Sequence, residues 1–326
     1  MSGFEVSVDW LRFTIPSIEV KEVVSRFFGT FRESQVSRNG YTKAFFLENA
    51  DRGQLAIFTG KKGSREVHVD ISGKVVGGWT YEFIQALCAW VRDHNGHFGR
   101  IDVAFDDKVS PVTLETVEAA LRAGQAVKRS KKWRKVEESD EENQTTGLCL
   151  YFGSRQSDTF VRAYDKAAEQ RSAGIAIDGK WHRWEVELKN SRSDVFGRAL
   201  ACLTAEDFKK FSVGILRSAI DFRDTSYSEE AWERCTAKIL PWWEELTEGF
   251  KKARLAVQKI QKKIEDVKQW AAMSLAPILA VLAASPDAGQ QWIEKMIVTG
   301  PDRWKQRHYD LLNRKPKRTY VLGARV

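Results

Sequence analysis

Four short segments of this chain alternate so regularly between apolar and charged residues that each can bury only one side. In Arg100-Ile-Asp-Val-Ala-Phe-Asp-Asp107, the side chains of Arg100, Asp102 and Asp106 fall on one side of an extended backbone and Ile101, Val103 and Phe105 on the other, because successive residues of a strand point to opposite faces. In His182-Arg-Trp-Glu-Val-Glu-Leu188, Arg183, Glu185 and Glu187 oppose Trp184, Val186 and Leu188, and in Val67-His-Val-Asp-Ile-Ser72, His68 and Asp70 share a side. The fourth, Thr159-Phe-Val-Arg-Ala-Tyr-Asp-Lys166, puts Arg162, Tyr164 and Lys166 together, opposite Val161 and Ala163. Any one of these is an ordinary half-solvated strand. Together they imply a sheet with one face on a core and one open face that carries carboxylates, cations and a phenol.

The rest of the chain supplies neighbours for these strands. Glu5 to Thr14 alternates over most of its length and reads as a strand, and Ile18 to Phe28 as a short helix. Strands follow around Tyr41 to Phe46, Leu55 to Phe58 and Arg65 to Ile71, divided by Gly, Asn and Lys clusters that mark the turns of an antiparallel meander. Thr80 to His94 spaces Phe83, Ile84, Leu87 and Trp90 as a helix does, and Thr113 caps a second helix running to Ala123. Gly147 to Gly153 pairs with Thr159 to Lys166 as a hairpin. Helices then take over at 193–202, 205–213 and 229–239. A long one from Trp242 to Leu275 is striped by Leu255, Val257, Ile260, Ile264 and Val267. The expected fold is α+β: a largely antiparallel central sheet, helices from Thr80 and Thr113 on its apolar face, and a C-terminal all-α part. The expected domains are residues 1–225 and 226–326.

With 326 residues the chain is long enough for a large core and a second module. Its 52 Lys and Arg against 44 Asp and Glu give a net charge of +8, which favours an anionic partner, nucleic acid first. A membrane is not expected: no stretch reaches about 18 apolar residues, and Met1-Ser-Gly-Phe-Glu-Val6 lacks the layout of a signal peptide. The longest apolar run, Ala271 to Ala284, is interrupted by Ser274 and Pro277 and reads as a buried helix. Cys88, Cys149, Cys202 and Cys235 are far apart without CxxC spacing, so they read as reduced, buried thiols of a cytoplasmic protein. Between Val127 and Gly147, Lys128-Arg-Ser-Lys-Lys-Trp-Arg-Lys135 precedes Glu137-Glu-Ser-Asp-Glu-Glu142. The acidic half reads as a solvated, mobile loop. The basic half, with Lys131, Lys132, Trp133 and Arg134, reads equally as solvated or as a contact for phosphates and bases.

Tyr164 is the residue of the open face with nucleophilic chemistry to offer. A phenol, with an ordinary pKa of about 10, is a weak nucleophile at neutral pH. Neighbouring cations such as Arg162 and Lys166 favour the phenolate and hold phosphate oxygens. A phosphoryl-transfer site of this kind generally also uses a hard divalent cation, which takes carboxylate oxygens. The acidic strands supply these.

In order along the chain, His68-Val-Asp-Ile-Ser-Gly73, Arg100-Ile-Asp-Val-Ala-Phe-Asp-Asp107, Tyr151-Phe-Gly-Ser-Arg-Gln-Ser-Asp158, Arg162-Ala-Tyr-Asp-Lys166 with Glu169, and Arg183-Trp-Glu-Val-Glu-Leu-Lys189 resemble the replication initiation factors of rolling-circle plasmids, integrative elements and filamentous phages. The resemblance covers roughly residues 5 to 225. It implies a catalytic domain like those of HUH nucleases and an origin-specific enzyme that nicks DNA and transfers strands through a covalent 5′-phosphotyrosine. Tyr164 then stands at the nucleophile's position, flanked by Arg162 and Lys166, and Asp70, Asp102 and Glu185 at those of the ligands to Mg2+ or Mn2+. His68 or Asp106 are alternatives to Asp70, and Glu187 to Glu185. Arg155 and Arg183 join Lys131, Lys132, Trp133 and Arg134 as expected DNA contacts. The substrate implied is a single-stranded or hairpin origin, with a host helicase and a second copy of the chain as further partners. The chain has no His-hydrophobic-His pair, unlike the better-known rolling-circle nucleases, which leaves the metal open. The rival reading is a DNA-binding regulator without enzymatic activity, built on the basic loop and the helical C-terminal part.

Overall fold

The computed structural model describes residues 3–48, 53–130, 132–139, 141, 145–225, 230–255, 264–286 and 289–312. The strands are β1 (Glu5–Ile15), β2 (Phe31–Arg38), β3 (Tyr41–Leu47), β4 (Gly53–Thr59), β5 (Val67–Gly73) and β6 (His97–Asp107). They continue with β7 (Ala126–Lys128), β8 (Trp133–Ser139), β9 (Thr145–Phe152), β10 (Thr159–Asp165), β11 (His182–Lys189) and β12 (Ile220–Phe222). Among the described residues, ten of them form one sheet in the order β2-β3-β4-β5-β1-β6-β11-β10-β9-β8, and β12 pairs with β7 in a small second sheet. Every pairing is antiparallel. The four alternating segments become β5, β6, β10 and β11, and three of them lie side by side.

Helices α1 (Val20–Val24), α2 (Lys74–Gly77), α3 (Tyr81–Asp93) and α4 (Leu114–Arg122) alternate with the strands, followed by α5 (Lys166–Ser172), α6 (Asn190–Leu200) and α7 (Ala205–Ala219). Thr113 caps α4 as expected, and Thr80 caps α3 likewise, their hydroxyls accepting from the amides of Thr116 and Phe83 at 3.2 and 3.3 Å. The apolar stripes of these helices, with Leu87, Val91, Val117 and Phe196, meet the inward side chains Phe13, Val103, Phe105, Val161, Trp184 and Val186 in one buried core. The opposite face carries the charged residues, with a small apolar cluster of Tyr41, Ala44, Ala56 and Phe58 on β3 and β4.

The chain forms two compact units, residues 1–257 and 258–326. This division falls beyond the expected 225/226 boundary. Helices α8 (Ala231–Thr236) and α9 (Pro241–Leu246) belong to the first unit, and Leu240, Trp243, Leu246 and Leu255 are buried in its core. The expected helix from Trp242 to Leu275 is not continuous. Helix α9 stops at Leu246, and Glu248 and Gly249 follow with positive φ, a conformation that glycine tolerates best. Leu255 is non-helical, Val257 and Ile260 lie outside the described residues, and the next described helix is α10 (Ile264–Trp270).

The second unit continues through a π-helical turn (Ala271–Leu275), α11 (Ala276–Ala283), α12 (Gly289–Thr299) and α13 (Gln306–Leu311). Contrary to expectation the apolar run is not buried: Ile278, Leu279 and Val281 are exposed on α11, which Pro277 helps to start as a separate helix. The cysteines are free, but Cys202 and Cys235 are exposed where buried thiols were expected. Among the described residues no helix is long and apolar enough to cross a membrane.

The charged stretch after Val127 also departs from expectation. Its acidic start is not a loop: Glu137 and Glu138 lie in β8, the outermost strand of the sheet. Lys135 holds Glu118 at 2.9 Å and Glu137 at 2.7 Å. Charge resists packing, yet an edge strand needs no packing on its outer side, and charged residues there discourage pairing with other chains.

Candidate active site

Register brings the functional side chains of the open face into rows. Tyr164 on β10 lies opposite Arg183 on β11, which lies opposite Asp106 on β6. One row further, Arg162 faces Glu185. Beyond that, Glu187 faces Asp102, which faces Trp10 of β1. The alternation of the sequence is what puts these groups on one side, and the antiparallel pairing is what gathers them.

The tightest contact is between Tyr164 and Glu185. The phenol donates to Glu185 Oε1 at 2.6 Å, and Arg162 Nε donates to Oε2 of the same carboxylate at 2.7 Å. Tyr164 is only 8 % exposed. Burial, then the charge of Glu185 and the hydrogen bond to it, push the phenol's pKa well above its ordinary value. This reverses the expectation of a phenolate favoured by its cationic neighbours. Both cations do reach the ring, Arg162 at 5.0 Å and Lys166 at 5.7 Å from its centroid, but their charges are matched by Glu185 and Glu169. Lys166 arrives from α5 rather than from the strand, because Asp165 ends β10 and caps the helix by accepting from the amide of Ala168 at 2.8 Å.

Arg183 is buried and held on the sheet. Two of its nitrogens donate to the two oxygens of Asp106, both at 2.7 Å, and a third reaches Asp9 at 2.9 Å. Asp9 went unnoticed in the sequence. Its pKa is raised by burial and then by the charge of Glu185, against Arg183, Lys166 and Arg162, so it belongs electrostatically to the same cluster. It gets there through a β-bulge: Val8 pairs with Val103 and Trp10 with Asp102, and Asp9 is the extra residue between them. The signal was present. Apolar positions run Val6, Val8 and then Leu11, Phe13, Ile15, a break in phase at Asp9 and Trp10.

The expected metal ligands do not form one set. Asp70 lies on the far side of β1, where it accepts from Trp10 Nε1 at 2.7 Å and Arg12 at 2.8 Å, with Arg38 at 3.3 Å. Asp102 is gripped by Arg100 through two bonds of 2.9 and 2.6 Å. Burial nevertheless pushes its pKa up to about 6, with Glu187 and Glu185 adding to the rise and Arg100 opposing it. Glu185 serves Tyr164 and Arg162. Of the alternatives, His68 bonds Thr14 Oγ1 at 2.8 Å, Asp106 holds Arg183, and Glu187 lies 3.0 Å from Arg100. Among the described residues no group of three or more His, Cys, Asp or Glu is arranged to hold an ion. The residues present therefore do not fit a three-carboxylate cation cage.

The expected DNA contacts divide by face. Arg134 stands over the Tyr151 ring at 5.0 Å, and Arg155 over Tyr151 and Phe160 at 5.6 and 5.8 Å. Tyr151 and Phe160 stack on each other with centroids 5.8 Å apart. These groups continue the row of Arg162 towards the edge of the sheet. Trp133 does not: it pairs with Phe152, packs against the core and lies under Arg122. Lys132 is exposed just before β8, and Lys131 lies outside the described residues. Beside Tyr164 a cleft of about 200 Å³ opens between Val136, Cys149, Tyr151 and Glu169.

Fold and site together define a class: an α+β protein whose antiparallel sheet presents a phenol, a carboxylate and guanidinium groups on its open face. Comparison with known proteins specifies it. The model of the replication initiation factor family matches residues 96–297, more than half of the chain, and the chain belongs to that family. It is 23 % identical over 309 residues to the putative DNA relaxase NicK of Bacillus subtilis (strain 168), covering 89 % of this chain and 84 % of that protein. Its fold is similar to that of the rolling circle replication initiator protein from Geobacillus stearothermophilus, with a TM-score of 0.64 and 24 % identity over 78 % of this chain and all of the other.

Proposed function

We propose that the chain initiates rolling-circle replication by nicking DNA with Tyr164. The observation that carries this is the hydrogen bond from the Tyr164 phenol to Glu185, with Arg162 on the other carboxylate oxygen. A buried phenol with a raised pKa does not attack as a standing phenolate. It attacks while a base takes its proton, and Glu185 is already within hydrogen-bonding distance. In the step proposed, the Tyr164 oxygen bonds to the scissile phosphorus, its proton passes to Glu185, and the bond from phosphorus to the 3′ oxygen breaks. The 5′ side remains on the enzyme as a phosphotyrosine, and the released 3′ oxygen takes a proton from water and serves as primer.

As Glu185 is protonated, Arg162 loses its ionised partner and becomes available to the negative charge gathering on the phosphate. Lys166, 5.7 Å from the ring centroid, adds a second positive charge beside the phenol, and Arg183, fixed by Asp106 and Asp9, keeps the floor of the site rigid. Arg134, Arg155 and the partly exposed Tyr151, which the buried Phe160 backs, suit single-stranded DNA, whose bases stack on aromatic rings while cations follow the backbone. No step here is routed through a metal.

The test is to incubate the full chain with single-stranded origin DNA, with and without manganese, and search tryptic peptides by mass spectrometry for a nucleotide adduct. The expected result is an adduct on Tyr164 that disappears in Tyr164→Phe while DNA binding persists. Binding by the wild type with no adduct on any tyrosine leaves the regulator as the better reading, and an adduct elsewhere moves the nucleophile.

A further inference from the structure

The reverse face of β10 carries a second group of cations that the chemistry above does not use. Two adjoining clefts of about 480 and 470 Å³ share Arg129, Thr159, Arg192 and Ala219 in their walls. Lys128, Lys252 and Arg254 line one of them as well, and Asp158 is the acidic residue lining the other. Thr159 is on the opposite side of the strand from Arg162 and Tyr164, so these clefts are distinct from the candidate active site.

The cations outnumber their partners. Among the described residues, Lys128, Arg129, Arg192 and Arg254 have no carboxylate within 4.0 Å, whereas Lys252 lies 3.2 Å from Asp221. Asp158 accepts from Asn190 Nδ2 at 2.7 Å. Arg192 occupies the first turn of α6, which carries no acidic residue and no side-chain cap of its own, and Asp158, bonded to Asn190 Nδ2, is an acidic group at that end. One carboxylate against Arg129, Arg192 and the helix pole leaves a net positive end that favours an anion. The Thr159 hydroxyl is buried without a hydrogen-bond partner and is a spare donor in the same wall. Half-buried Arg192 also has its pKa lowered, by burial and then by Arg129, with Asp158 opposing them, which agrees with cations crowded around one carboxylate.

We propose that this cleft holds a backbone phosphate of bound DNA, on the opposite face of β10 from Tyr164. A nucleic acid suits it better than a free anion because the cations continue along the chain. Lys128 and Arg129 lead through Lys132 into β8, whose Arg134 stands on the Tyr164 face. Charge thus runs around the edge of the sheet from one face to the other, as a polyanion requires and a single ion does not. The proposal rests on the reading of the chain as a DNA-binding initiator, and its test keeps the two apart.

The measurement is the affinity of the full chain for a fluorescein-labelled oligothymidine across a salt series, for wild type, Arg129→Ala/Arg192→Ala and Arg129→Lys/Arg192→Lys. Losing one phosphate contact flattens the slope of log K against log salt by about 0.7 for a single strand. That loss is expected in the alanine pair alone, with the lysine pair close to wild type. An unchanged slope in a folded alanine pair overturns the proposal. Calorimetry with inorganic phosphate distinguishes the sources: phosphate binding lost in the alanine pair with the DNA slope intact means a free-anion site, and also overturns it. Adduct formation on Tyr164 is scored in parallel, so an unchanged slope with a normal adduct counts against the cleft alone.

Discussion

Asp70 and Glu185 are both buried carboxylates on the open face of one sheet, and both are held by arginine, yet they end in different chemistry. Asp70 accepts from an indole and from Arg12, with Arg38 nearby, donors that do not give up a proton at neutral pH. Glu185 accepts from Arg162 and from a phenol. The charge environment is similar; what differs is one transferable proton. The Asp70 end is thereby a structural clamp joining β5, β1 and β2, and the Glu185 end a place where a bond can form.

Substitutions that keep shape and remove charge separate the two ends. Glu185→Gln is expected to slow adduct formation by about 10²- to 10⁴-fold, the usual contribution of a positioned base, measured by single-turnover cleavage of labelled origin DNA. A rate within a few fold of wild type would assign the base elsewhere. The next effect belongs to the Asp70 end and depends on pH. Burial, with Arg12 adding to it, lowers the pKa of His68 to about 4 from 6.5. The folded state therefore holds the neutral ring, and the unfolded chain binds the proton first. Stability is complete above about pH 6.5 and falls as the pH drops towards 4, by about 3 kcal/mol at most. Urea unfolding at several pH values should show this slope and its disappearance in His68→Gln.

The smallest effect is that of Asp70→Asn. Leaving Arg12 and Arg38, both partly exposed, without their carboxylate is expected to cost about 1–3 kcal/mol. Adduct formation by the folded protein should stay near wild type. A folded Asp70→Asn protein that makes no adduct would erase the distinction between the two ends and return Asp70 to the active site.

Much of this was legible because a strand has a period of two. Residues Arg162, Tyr164, Glu185, Arg183, Asp102 and Asp106 could be assigned to one side of their strands from the sequence alone, and Thr113 could be read as a cap. Pairing was not legible. Nothing local says that Tyr164 is buried or that Glu185 stands beside Arg162 and within its reach, and burial first, then that contact, raises the pKa in place of the expected lowering. Trp133 shows the same limit: a tryptophan among lysines suits nucleic acid, but its position in β8 turns it towards Phe152 and the core. The long helix failed because an apolar stripe at helical spacing outweighed Gly249, whose positive φ belongs to a turn. Asp9 was missed because a break in alternation reads as noise until the partner strand shows that one residue is extra.

The bulge at Asp9 also bears on how β1 tolerates change. Deleting that residue would leave Val8 and Trp10 adjacent and their pairing with Val103 and Asp102 uninterrupted. By the standards of a sheet this is a more regular strand, and one that folding alone would favour. It would lack the carboxylate that meets Arg183. The extra residue therefore serves the cluster around Tyr164 rather than the sheet that carries it: it costs the strand regularity and supplies a carboxylate to Arg183.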